Sequence, residues 1–183
     1  MYEKQMVRWL GMICLFAGIT RMGMTPSSLI WGSESMQGLA FGLVACILMS
    51  IGTMVTYMVQ AKETGITGFI TVLAITVGNI LTTCMLWASM IFGNPAINPE
   101  GMLFNLTRTI ALIGFTGGTI VFTVLTYRAR VFPRWISLLL VLMLMSIALP
   151  MEDNKYFAFF WGLAYVGMGY VIWAGKTNQN KHG

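Results

Sequence analysis

Residues 36–60 read MQGLAFGLVACILMSIGTMVTYMVQ, and after the short polar interruption Ala61-Lys62-Glu63-Thr64-Gly65, residues 66–92 read ITGFITVLAITVGNILTTCMLWASMIF. Neither run holds a charged residue, and each exceeds the roughly 20 residues a helix needs to cross a hydrocarbon core. Helices are required because in lipid every backbone group must be satisfied within its own segment or in a closed barrel. The alternating strands of a barrel are absent. Four further apolar stretches flank the pair: Met6 to Met24, Met102 to Tyr127, Trp135 to Leu149 and Tyr156 to Trp173.

The rest of the chain agrees with this reading. Of 183 residues, 57% are AVILMFWYC, 20 more are glycine and only 9% are charged. That leaves too few polar side chains to wet a soluble domain, and too much apolar surface for a disordered chain. Six spans would use roughly 120 residues, so residues 1–183 read as one all-α integral membrane domain, a six-transmembrane-helix bundle. All five prolines, Pro26, Pro95, Pro99, Pro133 and Pro150, fall between or at the ends of the stretches, where a missing N–H does least harm. Asn98-Pro99-Glu100 supplies a cap, a first-turn proline and an acid at the start of the fourth helix.

Lysine and arginine set the orientation. With the N-terminus inside, Lys4, Arg8, Lys62, Arg128, Arg130, Arg134, Lys176 and Lys181 are cytoplasmic, against Arg21, Arg108 and Lys155 outside. This positive-inside bias places both termini in the cytoplasm and accounts for the net charge of +5. Trp9, Tyr57, Tyr127, Trp135 and Trp173 form an inner aromatic belt, and Trp31, Trp87 and Tyr156 an outer one. Trp9 to Thr20 is a run of only 12 uncharged residues, which places Arg21 at or near the outer interface. A cleaved signal peptide competes for this first segment, although no small-residue cleavage pattern follows it. Gly11-Met12-Ile13-Cys14 is a poor lipidation site because Ile13 is bulky.

Much chemistry is excluded by what the interior lacks. The sole histidine, His182, lies in the polar tail, so bis-histidine haem, a histidine metal centre and a Ser-His-Asp relay have no imidazole to use. Cys14, Cys46 and Cys84 are isolated, one in each of the first three spans, and read as buried apolar thiols. Glu34, Glu100, Glu152 and Asp153 fall in outer loops and Glu3 and Glu63 in inner segments, so no carboxylate sits at the bilayer centre to serve a proton-coupled pump. Catalytic residues, a metal site and a cofactor are therefore not assigned. Scattered cations make no basic face for nucleic acid. Asn94-Pro95-Ala96 matches the signature tripeptide of water channels, but those proteins use two copies and the loop here is too short for a re-entrant helix; an Asn-Pro turn accounts for it.

Neutral polar residues are patterned more sharply. At 100° per residue Asn105, Arg108, Thr109, Thr116, Thr119, Thr123 and Thr126 share an arc of about 100° on the fourth helix, with Gly114-x-x-x-Gly118 on another side. On the third helix Asn79 is flanked by Thr76 and Thr83, and Thr116 is expected at its depth on the antiparallel neighbour. These groups either satisfy one another and the preceding turn's carbonyls or line a ligand or solute path between helices three and four. Gly38, Gly42, Cys46 and Ser50 make a small-residue ridge on the second helix, and Ala158, Gly162, Tyr165 and Gly169 a core stripe on the sixth. Arg21, Arg108, Glu152 and Asp153 form a candidate charged cluster at the outer face.

Gly52-Thr53-Met54-Val55-Thr56-Tyr57 and Gly118-Thr119-Ile120-Val121 with Thr126-Tyr127 end two helices alike, as a worn hairpin repeat or by chance. The basic turn Tyr127-Arg128-Ala129-Arg130-Val131-Phe132-Pro133-Arg134-Trp135 resembles that of uncharacterised small multipass bacterial integral membrane proteins. The resemblance covers one hairpin and implies the plasma membrane (inner membrane) of a prokaryote, with no activity attached. Three classes of function stay open. The first is a non-enzymatic binding, accessory or regulatory module partnered by membrane lipids, a second copy or another membrane protein. A small-solute transporter or channel using helices three and four is the second. The third is a lipid- or quinone-directed enzyme at the outer face.

Overall fold

The computed structural model describes residues 2–32, 35–92, 101–148 and 156–177. All regular structure among them is helical: α1 (Tyr2–Trp31), α2 (Met36–Phe92), α3 (Met102–Leu112), a π-helical turn (Ile113–Gly117), α4 (Gly118–Ala129), α5 (Arg134–Ala148) and α6 (Phe157–Trp173). Three stretches are long and apolar enough to cross a membrane, Gln5–Trp31, Met36–Ile91 and Phe104–Ala129. α5 and α6 are apolar but shorter, at 15 and 17 residues. Glu34, Asn94-Pro95-Ala96, Asn98-Pro99-Glu100, Glu152, Asp153 and His182 lie outside the described residues.

α2 doubles back on itself. Gly65 has φ 55° and ψ −146°, a region that an L side chain does not enter without strain. The Tyr57 hydroxyl donates to the Gly65 carbonyl at 3.4 Å, and the Tyr57 and Phe69 rings lie 5.8 Å apart. A Cβ on Gly42 would touch Leu86 at 3.3 Å, whereas on a straight helix these two would be roughly 66 Å apart. Residues 36–64 and 66–92 are thus two antiparallel arms, divided where the polar interruption expects.

The first segment departs from expectation. α1 continues past Met24 to Trp31 with Pro26 inside it. Proline there removes the backbone bond to the Met22 carbonyl, while the Ser27 hydroxyl makes the usual back-bond to the Gly23 carbonyl at 2.9 Å. Arg21 consequently lies ten residues inside the end of α1, roughly 15 Å along its axis.

Glycine sets the packing. α1 and α6 cross antiparallel with Gly18 against the Gly162 backbone, Gly169 against Leu15 and Gly11 against Trp173. The expected Ala158, Gly162, Tyr165 and Gly169 stripe is buried along α6, and its partner face, Gly11 and Gly18, lies on α1. Gly52 packs on Cys14 and Gly42 on Met24, joining α1 to the first arm of α2. Gly114 approaches the Ala74 carbonyl and Gly118 Ile75, joining the second arm to α4 and the π turn. Gly167 packs on Ile136 of α5. Successive segments alternate in direction, and Met49, Val72, Phe122, Leu140, Trp161 and Met168 fill the common core. Large apolar side chains cover the outside, among them Ile66 at 76% and Leu138 at 68% exposed, the reverse of a water-facing surface. Exposed Trp9, Tyr127, Trp135 and Trp173 gather at the end that carries Arg8, Lys62, Arg128 and Lys176, and Trp31, Trp87 and Tyr156 at the other.

Candidate functional site

The polar stripe on the helix from 102 to 129 does not stay on one face. Asn105, Arg108 and Thr109 are exposed, Thr116 is half-buried, and Thr119, Thr123 and Thr126 are buried. The cause is the π turn at Ile113–Gly117: an i→i+5 turn inserts one extra residue, which rotates everything before it by roughly 100° relative to everything after it. Counting 100° per residue could not see this. The same helix still presents Gly114 and Gly118 to the second arm of α2, where Gly78 meets Phe115 N and the Ala111 carbonyl. With Gly78 seated between Ala111 and Phe115, Asn79 stands opposite about position 112, so Thr116 lies some four residues, roughly 6 Å, from the depth of Asn79. The expected pairing of Asn79 with Thr116 is not made.

Most threonines are satisfied by their own helix. Thr83 donates to the Asn79 carbonyl at 2.8 Å, Thr109 to Asn105 at 2.8 Å, Thr119 to Phe115 at 2.5 Å and Thr123 to Thr119 at 2.8 Å. A longer link joins α2 to α6, where the Thr53 and Tyr165 hydroxyls lie 2.6 Å apart and Thr53 also bonds the Met49 carbonyl at 2.7 Å. Tyr165 was expected only as part of a packing stripe, and nothing in the spacing of α6 pointed to Thr53.

Against this background a few buried polar atoms stand without hydrogen-bond partners. Asn79 is 0% exposed and neither its Nδ2 nor its Oδ1 is bonded. Thr76 Oγ1, Trp161 Nε1, Gln60 Oε1 and Thr126 Oγ1 are in the same condition. Buried polar groups are nearly always paired, which makes these the candidate atoms of a site; Gln60 and Thr126 stand toward the basic end, apart from Asn79. Trp161 stacks on Phe115 of the π turn at 4.0 Å, and Phe115 abuts Gly78 beside Asn79, so this part of the cluster surrounds the turn.

Arg21 is 7% exposed. Its Nη1 lies 3.2 Å from Met24 Sδ and 4.0 Å from Cys46 Sγ, the guanidinium sits 5.7 Å from the Phe157 ring centroid, and Nε is unpaired. Sulfur and a ring face are weak company for a full charge. The small ridge on α2 brings Cys46 here, a placement the sequence did not foresee for Arg21. Arg108 is exposed on α3 while Arg21 is buried, and Glu152 and Asp153 lie outside the described residues. The cysteines are free, Cys14 and Cys46 buried as expected and Cys84 exposed, contrary to expectation.

At the basic end, a cleft of about 190 Å³ is lined by Gln5, Arg8, Trp9, Met12 and Trp173, and another of about 510 Å³ by Glu63, Leu125, Arg128 and Ala129. Arg8 Nε donates to the Trp173 carbonyl at 2.9 Å, which places a cation at the negative end of α6. No group of His, Cys, Asp and Glu able to hold a metal occurs among the described residues. Comparison with protein-family models, with curated proteins and with solved structures finds no match to this chain.

Proposed function

We propose that this chain is a six-span, non-enzymatic binding module of a prokaryotic plasma membrane, with both termini in the cytoplasm. The observation that carries the binding reading is the set of unpaired buried polar atoms around Asn79, Thr76 and Trp161 inside a bundle otherwise closed by glycine-to-backbone contacts. The apolar exterior and the aromatic residues exposed at both ends support membrane residence. The fold-back of α2 and the antiparallel run of α5 and α6 support six passes, with the two short helices crossing by bilayer thinning and interfacial residues. Basic residues gathered at one end support the orientation, and the resemblance of residues 127–135 supports the prokaryotic setting.

The test is purification of the full chain with native lipids, followed by native mass spectrometry of what remains bound. A stoichiometric adduct lost on Asn79→Leu substitution is expected. A bare protein, or an adduct indifferent to Asn79, would remove the reading. A solute path between α2 and the helix from 102 to 129 is a second reading, favoured by the burial of Thr119, Thr123 and Thr126 in line toward the basic end. Uptake into proteoliposomes abolished by Asn79→Leu separates it from binding alone.

A further inference from the structure

Three helix pairings put Arg21, Asn79 and Arg108 at one level of the bundle. Arg21 faces Cys46; Gly42 faces Leu86, so 46 lies beside 82; and Gly78 lies between Ala111 and Phe115, so 83 lies beside 108. The three residues therefore fall within about one helical turn of each other along the bundle axis. At this level Arg21 offers a buried guanidinium whose Nε is unpaired, and Asn79 an amide with nothing bonded to it. Glu63, the one carboxylate among the described side chains, is some seventeen residues further along α2 from Cys46, roughly 25 Å away.

We propose that this level is a binding site for a small oxyanion, completed when the π turn relaxes to α-helix. The ligand class follows from charge. A guanidinium held in an apolar interior is strongly disfavoured without a counter-charge, and its planar N–H donors match the oxygens of a carboxylate or phosphate. Asn79 Nδ2 supplies a neutral donor at the same level. The completing motion follows from register. With the π turn in place, Asn105, Arg108 and Thr109 face outward. On an uninterrupted α-helix they share a face with Thr119, Thr123 and Thr126, which are buried. Removing the extra residue's worth of winding rotates α3 by roughly 100° and carries Arg108 and Thr109 inward to the level of Arg21 and Asn79. The proposal rests on the binding reading and adds the ligand's charge and the device that closes over it.

The test is equilibrium dialysis of radiolabelled inorganic phosphate, and separately acetate, against the full chain in neutral detergent and chloride-free buffer. Saturable binding of one anion per chain is expected, lost in Arg21→Gln, weakened at least tenfold in Asn79→Leu and Arg108→Gln, and unchanged in Arg8→Gln at the opposite end. Competition by phosphatidylglycerol micelles but not by neutral-lipid micelles assigns the oxyanion to a headgroup; indifference to both assigns it to a free solute. For the rotation, Thr109→Cys with Thr83→Cys, in a background whose own cysteines are replaced by alanine, is expected to cross-link faster with phosphate present. Deleting Gly117 is expected to make that cross-link independent of phosphate. Should the deletion fail to fold, the cross-link with the turn intact still decides. Binding that survives Arg21→Gln, or the absence of binding by either anion, overturns the site. A cross-link rate indifferent to phosphate overturns the rotation. A neutral adduct that depends on Asn79 in native mass spectrometry leaves the binding reading standing and overturns the anion.

Discussion

Gly18 and Gly162 meet backbone to backbone where α1 crosses α6, so closely that a Cβ on either would lie against the other's carbonyl oxygen. Gly18→Leu or Gly162→Leu is therefore expected to push the helices apart and destabilise the bundle by about 2 kcal/mol or more, by overpacking. Thermal unfolding in detergent measures this. Leu138→Ala, on a side chain 68% exposed, is the control and should stay close to the parent. Equal melting temperatures for the glycine and leucine variants would contradict the crossing.

Gly65→Ala is expected to cost about 1–3 kcal/mol, because φ 55° with ψ −146° is open to glycine and strained for alanine. The added methyl meets nothing within 4 Å, so any loss in melting temperature reports backbone conformation and not packing.

Tyr165 and Thr53 form the one side-chain hydrogen bond described between α2 and α6. A double-mutant cycle with Tyr165→Phe and Thr53→Val should return a coupling of about 0.6 kcal/mol, with about 1.7 as the ceiling for such pairs in membranes. Zero coupling would mean the hydroxyls do not bond.

Asn79→Leu should raise stability. The amide is fully buried with both polar atoms unpaired, and replacing an unsatisfied polar group by an apolar one of similar volume recovers on the order of 1–3 kcal/mol. A higher melting temperature together with loss of any bound molecule is the signature of a residue kept for binding at the expense of stability. A lower one would point to a purely structural amide.

Topology is checked by single cysteines at Gly32, Lys62, Gly101, Arg130 and Lys176 in a cysteine-free background. An impermeant thiol reagent applied to intact cells should label positions 32 and 101, and should reach positions 62, 130 and 176 only after lysis. Labelling of 62 in intact cells would invert the proposed orientation.

How far the chain could be read without coordinates depended on whether one residue's identity carried the signal. The break near Gly65 was legible because Lys62 and Glu63 interrupt the 55 otherwise uncharged residues from 36 to 92. The α6 stripe was legible because Gly162 and Gly169 stand one heptad apart. Their counterparts on α1, Gly11 and Gly18, are also a heptad apart, but two glycines in a run of only 12 uncharged residues do not single out a packing face. α1 continues through Pro26, which a rule that places proline at helix ends does not anticipate. The π turn left no mark in composition at all. It changes the winding and not the residues, so the threonine stripe was correctly counted and wrongly assumed to be straight. The environment of Arg21 required knowing that Cys46 and Phe157, 25 residues ahead and 136 residues ahead in the chain, arrive at the same place.

The pairing of α1 with α6 also bears on how the protein is made. α1 leaves the ribosome before every other described segment, and the glycine face it needs for docking is synthesised after all of them. Until then Gly11 and Gly18 have no backbone to meet, and Arg21 lacks the Phe157 ring beside it. Until α6 is made, the glycine groove of α1 and the Arg21 guanidinium both stay uncovered on that side. A chain cut short before α6 should be degraded in the membrane even though its first five segments are intact.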